Sequence, residues 1–288
     1  MKILILGGSG LLGTSIVKFY KNKNIECIMH GKNNSQHINF DIFNEELLKK
    51  NIIFYNPTLI INLIGLTNIS ICEENYSLAL KINCKTVSII NKILKSINKK
   101  IHLIHVSTDH LYDDTKINNI ENKSNPINNY AKTKLLGELE IDYEYSSIIR
   151  TNFIGRSFCK KNSLSDWIIE SLKNKIKIEV YEDILFNPIH TSTLADHFLH
   201  IYKNGIFGKF NVGSKGYISK SEFAKKLAIS FNLSTDLLKL IKYDNNLNSV
   251  ERPKNMIMNT DKYEKNSNLS LPGINGEIIK NINDYIND

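Results

Sequence analysis

The chain opens on an apolar run, Ile3-Leu4-Ile5-Leu6, that passes directly into Gly7-Gly8-Ser9-Gly10-Leu11-Leu12-Gly13 and then into an amphipathic stretch from Thr14 to Tyr20. Strand, glycine turn and helix in that order leave few folds open, because this is the context that a dinucleotide-binding turn requires. Each glycine has a mechanical job. One makes the tight turn, one lets a pyrophosphate approach the backbone, and one lets helix and strand pack closely, while N–H groups at the helix N-terminus meet the negative charge. The run satisfies both G-x-x-G-x-x-G (Gly7, Gly10, Gly13) and G-x-G-x-x-G (Gly8, Gly10, Gly13).

Short apolar runs alternate with helical patterns through the first half. Ile25 to Met29, Leu59 to Ile64, Ile101 to Val106 and Ser147 to Arg150 read as further strands, with Tyr76 to Ile97 and Tyr130 to Glu140 as amphipathic helices. This alternation predicts an α/β fold, a doubly wound parallel sheet of the Rossmann type with helices on both faces. Right-handed crossovers then bring Gly7 to Gly13, Asn62 to Thr67 and Ser107 to Asp109 to one sheet edge, where ligands bind. After Arg150 the rhythm loosens: a loop from Gly155 to Ser163, a helix near Asp166 to Asn174, a strand from Ile176 to Tyr181 and a helix from Thr193 to Tyr202. Ser219-Lys220-Ser221-Glu222 fits a capping box ahead of Phe223 to Phe231. The expected division is a dinucleotide-binding domain over 1–150 and a smaller, mainly substrate-binding region over 151–288, with segments returning to the first.

With 288 residues, 42% of them hydrophobic, the chain can bury a large core. The formal charge of +8 is spread along the sequence, and no basic cluster interleaved with aromatics marks a nucleic-acid surface. Such a field suits an anionic substrate such as a nucleotide sugar. The four cysteines, Cys27, Cys72, Cys84 and Cys159, show no C-x-x-C spacing and read as buried thiols in a reducing compartment. The sequence starts without the features of a secretory signal, and its strongest apolar stretch, near Leu59 to Leu66, is too short to span a bilayer. A cytoplasmic protein with no nucleic-acid or membrane partner is the expectation.

Tyr130 and Lys134 stand one helical turn apart, and Ser107-Thr108-Asp109 closes an upstream strand-like run. A phenol is a poor acid or base at neutral pH, but an ammonium beside it favours the phenolate and moves it toward working pH. Spacing of i, i+4 puts both side chains on one helix face. A Thr108 hydroxyl would then share a carbonyl oxygen with Tyr130. Taken alone, Tyr-x-x-x-Lys also describes an ordinary exposed helix face; the glycine turn is what favours the chemical reading.

With these pieces in register, the chain resembles the extended short-chain dehydrogenase/reductase family, and within it the dTDP-4-dehydrorhamnose reductase branch. The resemblance rests on Val106-Ser107-Thr108-Asp109, Glu121, the run from Pro126 through Tyr130 and Lys134 to Glu138, Ile149-Arg150-Thr151 and Arg252-Pro253. It implies an NAD(P)H-dependent reductase of a keto group on a nucleotide-linked deoxysugar, serving surface-polysaccharide precursor synthesis. Tyr130 would be the general acid, Lys134 would hold the nicotinamide ribose and lower the phenol pKa, and Thr108 would polarise the keto oxygen. Gly7, Gly10, Leu11, Leu12 and Gly13, with Leu63, Ile64, Gly65 and Thr67, would line the cofactor. Asn83 matches a family asparagine buried in a helix, where a packing role and a functional one stand equal.

Several positions keep two readings. Met29-His30-Gly31-Lys32 has no acid to grip a ribose 2′-hydroxyl, which favours a 2′-phosphate near Lys32 and hence NADP over NAD, although Lys32 also reads as a loop lysine. Asp41-Ile42 resembles the family's adenine contact, and Asp41 equally reads as a helix cap. Asp109 orients its loop or touches substrate. Asn152-Phe153 stand where the branch often carries Ser-Trp, pointing to a different sugar at that wall. Arg252 suits a phosphate or a surface salt bridge. His110 replaces the Glu that follows Thr-Asp in dehydratases of the superfamily, which disfavours elimination. Trp167 reads as core or subunit contact, in keeping with a homodimer, and Tyr112 as packing. His190, His197 and His200 lack companion acids or thiols for zinc, so no metal is expected. A 4-epimerase, which shares Tyr and Lys, and a non-catalytic subunit similar to the regulatory subunit of methionine adenosyltransferase remain the alternatives.

Overall fold

Ile3, Leu4, Ile5 and Leu6 are all fully buried, which a strand achieves only when helices cover both faces of its sheet. The computed structural model describes residues 1–31, 38–113, 118–244 and 250–286. Among these, six parallel strands form the main sheet: β1 (Ile3–Leu6), β2 (Cys27–His30), β3 (Leu59–Asn62), β4 (His102–Val106), β5 (Ser146–Arg150) and β6 (Gly208–Asn211), in the spatial order β2-β1-β3-β4-β5-β6. Order reverses between β1 and β3, so a crevice opens at the carboxyl ends of those two strands.

The two-residue period of β1 divides the core. Ile3 and Ile5 pack with Leu12, Ile16 and Tyr20 of helix α1 (Leu11–Asn22) and with Leu194 and Phe198 of the helix Thr191–Lys203. Leu4 and Leu6 face the opposite layer, where Leu48 and Ile52 of helix α2 (Glu45–Tyr55) meet Ile89, Ile90 and Ile93. A separate core, with Phe186, Phe223, Leu227 and Met256 at its centre, holds a smaller lobe built from the later helices and short strands. One pair there, Ile178–Tyr181 with Leu238–Ile241, is parallel.

Element boundaries shift by one or two residues at most strands, and one expectation needs correction. The helix read as Tyr76 to Ile97 is a short helix, Tyr76–Leu80, then a π turn over Lys81–Lys85, then a helix, Thr86–Ser96. Strand β6 lies in the second half of the sequence and is a segment that returns to the first, completing its sheet beside β5. The capping box is present as read: Ser219 Oγ accepts the Glu222 N–H at 3.1 Å, and Glu222 Oε2 accepts the Ser219 N–H at 3.0 Å.

The π turn presses against the helix that carries Tyr130 and Lys134 (Asn129–Leu139), and Gly137 is the residue at the contact. A Cβ there would overlap the Asn83 carbonyl oxygen. Gly137→Ala should therefore overpack the joint, costing about 1–3 kcal/mol. A drop of several degrees in Tm, read by calorimetry, is the expected outcome.

Candidate active site

The geometry gives each glycine of the opening turn its task. Gly7 takes φ +82°, a left-handed conformation that favours glycine. Around Gly13, a Cβ would lie 2.6 Å from the Gly7 carbonyl oxygen and the Gly8 backbone, so a bare Cα is what lets α1 sit on the turn. Gly10, the N-cap of α1, has only the Gly7 oxygen near its Cβ position, at 3.3 Å, and otherwise faces a cavity. Among the described residues no side chain caps this helix start. Its first N–H groups are thus aimed at the cavity, as an anion such as a dinucleotide pyrophosphate needs.

The cavity encloses ≈430 Å³ at the carboxyl edge of the sheet. Gly7, Gly10, Leu11, Leu12 and Gly13 form one side, Leu63, Ile64, Gly65 and Thr67 another, and Thr108, Asp109, Tyr130, Lys134, Asn152 and Phe153 the deep end. Two of the expected cofactor positions, Asp41 and Ile42, are not among the residues that line this cavity. Asp41 is exposed, its Oδ1 accepting the Phe43 N–H at 3.0 Å, and Ile42 is buried in the core against α2. The helix cap proper is Asn44, which accepts the Leu47 N–H, so Asp41 only shapes the turn before it. Lys32 lies outside the described residues.

Thr108 follows β4 by two residues and caps a 3-10 turn, its Oγ1 accepting the His110 N–H at 3.2 Å. Tyr130 and Lys134 follow from the first turns of their helix, whose N-cap, Asn128, accepts the Ala131 N–H at 2.9 Å. The Tyr130 phenol and the Thr108 hydroxyl line the same end of the cavity, near enough for Thr108 to act on the phenol pKa. The expected charge relation differs. Burial raises the phenol pKa, against the Thr108 hydrogen bond, and Asp109 adds to the rise. Lys134 does not drive the phenol down: its Nζ donates to the Val106 carbonyl oxygen at 2.8 Å, and desolvation lowers its own pKa to about 8, against the pull of Glu138. Tyr130 therefore rests as a neutral phenol, a proton donor, at neutral pH.

Asn83 resolves into a positioning residue. Fully buried in the π turn, it accepts the Leu66 N–H at 2.7 Å and donates to the Leu66 carbonyl at 3.2 Å and to Thr133 Oγ1 at 3.0 Å. It thereby ties the loop after β3 to the helix of Tyr130; a π bulge at a site is a common way to aim such a group. Asp109 likewise orients its surroundings, its Oδ2 accepting from Asn152 Nδ2 at 2.6 Å.

A second cavity, ≈280 Å³, adjoins the first and is lined by Arg252, Lys220, Trp167 and Tyr181; His110 lines both. Arg252 belongs there rather than to an isolated surface pair. Trp167, read as core or subunit contact, is 40% exposed at this cavity's wall. Lys220 was missed, since a lysine inside a capping box reads as solvated; its Nζ sits 3.2 Å from the Phe186 ring centroid, and desolvation lowers its pKa to about 8. Lys161 was also missed: its Nζ donates to Thr67 Oγ1 at 3.1 Å, bringing the loop before Ser163 across to the wall of the first cavity. The three histidines weighed for zinc serve structure instead: His190 bonds Asp284, His197 bonds the Tyr263 hydroxyl, and His200 bonds the Ser267 carbonyl. Among the described residues no group of three or more His, Cys, Asp or Glu side chains is placed to hold a metal, and no helix is long and apolar enough to cross a membrane.

A glycine turn at the switch point of a parallel sheet, facing Thr, Tyr and Lys across one cavity, defines the extended short-chain dehydrogenase/reductase class. Within it, the chain belongs to the family of the RmlD substrate binding domain, whose model matches residues 1–286. Among solved structures it is similar to a dTDP-4-dehydrorhamnose reductase of Clostridium acetobutylicum (26% identity, TM-score 0.86, all of both chains). It is also similar to the dTDP-4-dehydrorhamnose reductase of Bacillus anthracis in complex with NADP (20% identity, TM-score 0.88, 100% and 99% of the two chains). Among curated relatives, the dTDP-4-dehydrorhamnose reductase of Salmonella typhimurium is 23% identical over 290 residues, 94% of each chain.

Gly10→Val tests the cradle. The φ of −80° at this position tolerates a side chain, so the fold should persist while the isopropyl group fills the phosphate approach. Loss of NADPH affinity by roughly a hundredfold or more, about 2.7 kcal/mol or greater, is expected from fluorescence titration with unchanged circular dichroism.

Proposed function

We propose that this chain is an NADPH-dependent reductase of the keto group on a nucleotide-linked 6-deoxyhexose, with a dTDP-4-dehydro sugar as its substrate, in the supply of surface-polysaccharide precursors. The observation that carries the reading is the convergence of Thr108, Tyr130 and Lys134 with the Gly7–Gly13 turn on one cavity. NADP is favoured over NAD by the absence of an acid after β2 in Met29-His30-Gly31-Lys32, and a relative of the same family binds NADP.

The turn residues Gly10 to Gly13 would take the pyrophosphate, Leu63 to Thr67 the adjoining ribose, and Lys134 the nicotinamide ribose hydroxyls, for which its ammonium stands ready beside Val106. Bound there, NADPH supplies the hydride. Thr108 and Tyr130 both line this end of the cavity, so a keto oxygen placed between their hydroxyls would receive two hydrogen bonds. As negative charge grows on that oxygen, Tyr130 delivers its phenolic proton and afterwards recovers one from solvent, as its raised pKa favours. Asn152, held by Asp109, and Phe153 bound the sugar, while Lys220 and Arg252 in the second cavity meet the diphosphate.

Tyr130→Phe keeps the ring and removes the proton. With dTDP-4-dehydro-6-deoxyhexoses and NADPH, kcat should fall about 10²–10⁴-fold with KM little changed. Equal turnover in both proteins would remove Tyr130 from the mechanism, and sugar interconversion without net NADPH consumption would make the chain an epimerase.

A pH dependence follows from Lys220. Its lowered pKa leaves it cationic below about pH 8 and neutral above. KM for the nucleotide sugar should therefore rise as pH passes upward through 8, and Lys220→Met should show the higher KM at every pH, without that step.

A further inference from the structure

The two cavities meet at one side chain. His110 lines both, and its ring stands edge-on to the Tyr130 ring, with centroids 5.5 Å apart and planes at 77°. Its backbone N–H is taken by Thr108 Oγ1, which fixes the residue one step beyond the reacting hydroxyls. Among the described residues, His110 Nδ1 is buried with no hydrogen-bond partner. A buried polar atom without a partner is costly, and this one belongs to a ring that lines two cavities, where a ligand group can reach the imidazole.

On the reductase reading above, the sugar must straddle this junction. Its keto oxygen lies at Thr108 and Tyr130 in the first cavity, while its anomeric diphosphate reaches Lys220 and Arg252 in the second. The hexose ring between them passes His110. One edge of that ring carries the ether oxygen and a methyl-bearing carbon; the other carries the C2 and C3 hydroxyls. Only hydroxyls both donate and accept, and so match an imidazole nitrogen in either tautomer.

We infer that His110 is a specificity-determining residue whose imidazole nitrogen hydrogen-bonds a hydroxyl on the C2–C3 edge of the sugar, between the reacting carbonyl and the anomeric phosphate. Burial lowers the imidazole pKa, against the charge of Asp109, so the ring is neutral at pH 7 and repels neither the cations of the second cavity nor Lys134. The histidine therefore reads shape and hydrogen bonding, leaving charge recognition to Lys220 and Arg252. A site built around such a bond discriminates against a substrate lacking the hydroxyl, because its own polar atom is then left unpaired.

The test is a cycle of enzyme and substrate changes. dTDP-4-dehydro-6-deoxyglucose and its 2-deoxy and 3-deoxy analogues are compared in wild type and in His110→Phe, which keeps the aromatic edge against Tyr130 and removes both nitrogens. In wild type, one analogue should lose roughly tenfold in kcat/KM. In His110→Phe the parent sugar should be reduced roughly tenfold less well, and removing that hydroxyl should then cost less than about twofold. His110→Gln, which keeps a donor and an acceptor, should regain part of the discrimination, a rescue that a packing role would not give. Tm and NADPH affinity control for folding; if His110→Phe folds poorly, His110→Leu and calorimetric affinities for the reduced dTDP-sugars carry the same comparison. A full deoxy penalty in the variant, or none in wild type, overturns the inference. If wild type reduces no member of the panel, the reductase reading itself fails and this inference falls with it.

Discussion

Two charges with no access to water hold the helix of Tyr130 and Lys134 to the sheet. Glu138, on that helix, accepts from Arg150 Nε at 2.9 Å and from its NH2 at 2.7 Å, and both side chains are 0% exposed. Burial works to raise the Glu138 pKa, but the guanidinium overcomes it and holds the carboxyl below its usual range. Arg150 NH1 continues to the Tyr112 hydroxyl at 3.1 Å and the Glu121 carbonyl at 3.0 Å. Tyr112 and Glu121 in turn both bond Asn211 of β6. One guanidinium thus sets the relative positions of β5, β6, the segment after Thr108 and the helix opposite. Losing one partner of such a pair typically costs about 3–5 kcal/mol, whereas replacing both with apolar groups is often nearly neutral. Its worth here is therefore orientation: a forked bond at the fourth residue beyond Lys134 fixes both the height and the rotation of the helix.

How much of this the sequence disclosed depends on how local each signal is. The glycine turn was legible because strand, turn and helix are contiguous, and the Tyr130/Lys134 pair because four residues make one helical turn. Glu121, Glu138 and Arg150 could be matched to a family pattern, yet nothing in their spacing said that they meet, since their contact is made by tertiary packing of separate elements. Lys220, and the cavity beside Trp167, were missed for the same reason. Each sits in a locally ordinary setting, a capping box and an amphipathic helix, and gains its meaning only when the smaller lobe closes beside His110. The π turn at Asn83 escaped because helical periodicity continues through it with one residue's slip. For Tyr130, spacing gave the right neighbours but the wrong electrostatics: adjacency on a helix face does not tell which acceptor a lysine reaches, and Val106 takes the ammonium.

The two cavities divide recognition by chemistry. The first presents backbone N–H groups and hydroxyls, suited to a pyrophosphate and a polar carbonyl; the second presents Lys220 and Arg252 beside Trp167 and Tyr181, suited to charge and to flat rings. Asn152 and Phe153 stand at the wall between β5 and the lobe, where a strand pair, Phe153–Ile154 with Ile189–His190, anchors them. On the proposed reading, a change of residue at that wall would alter the sugar accepted without disturbing Thr108 and Tyr130.

The late arrival of β6 has a consequence for how the molecule is made. Its four residues, Gly208–Asn211, pair with β5 only after two intervening helices and four short strands have been synthesised, so a nascent chain that has already built β1 to β5 carries β5 as a bare edge. Unsatisfied N–H and C=O groups along a buried-type strand are a template for intermolecular pairing. Ile148 and Ile149 lie on that edge, and an emerging ribosomal product must keep it covered, by a chaperone or by speed, until the returning segment zips against it.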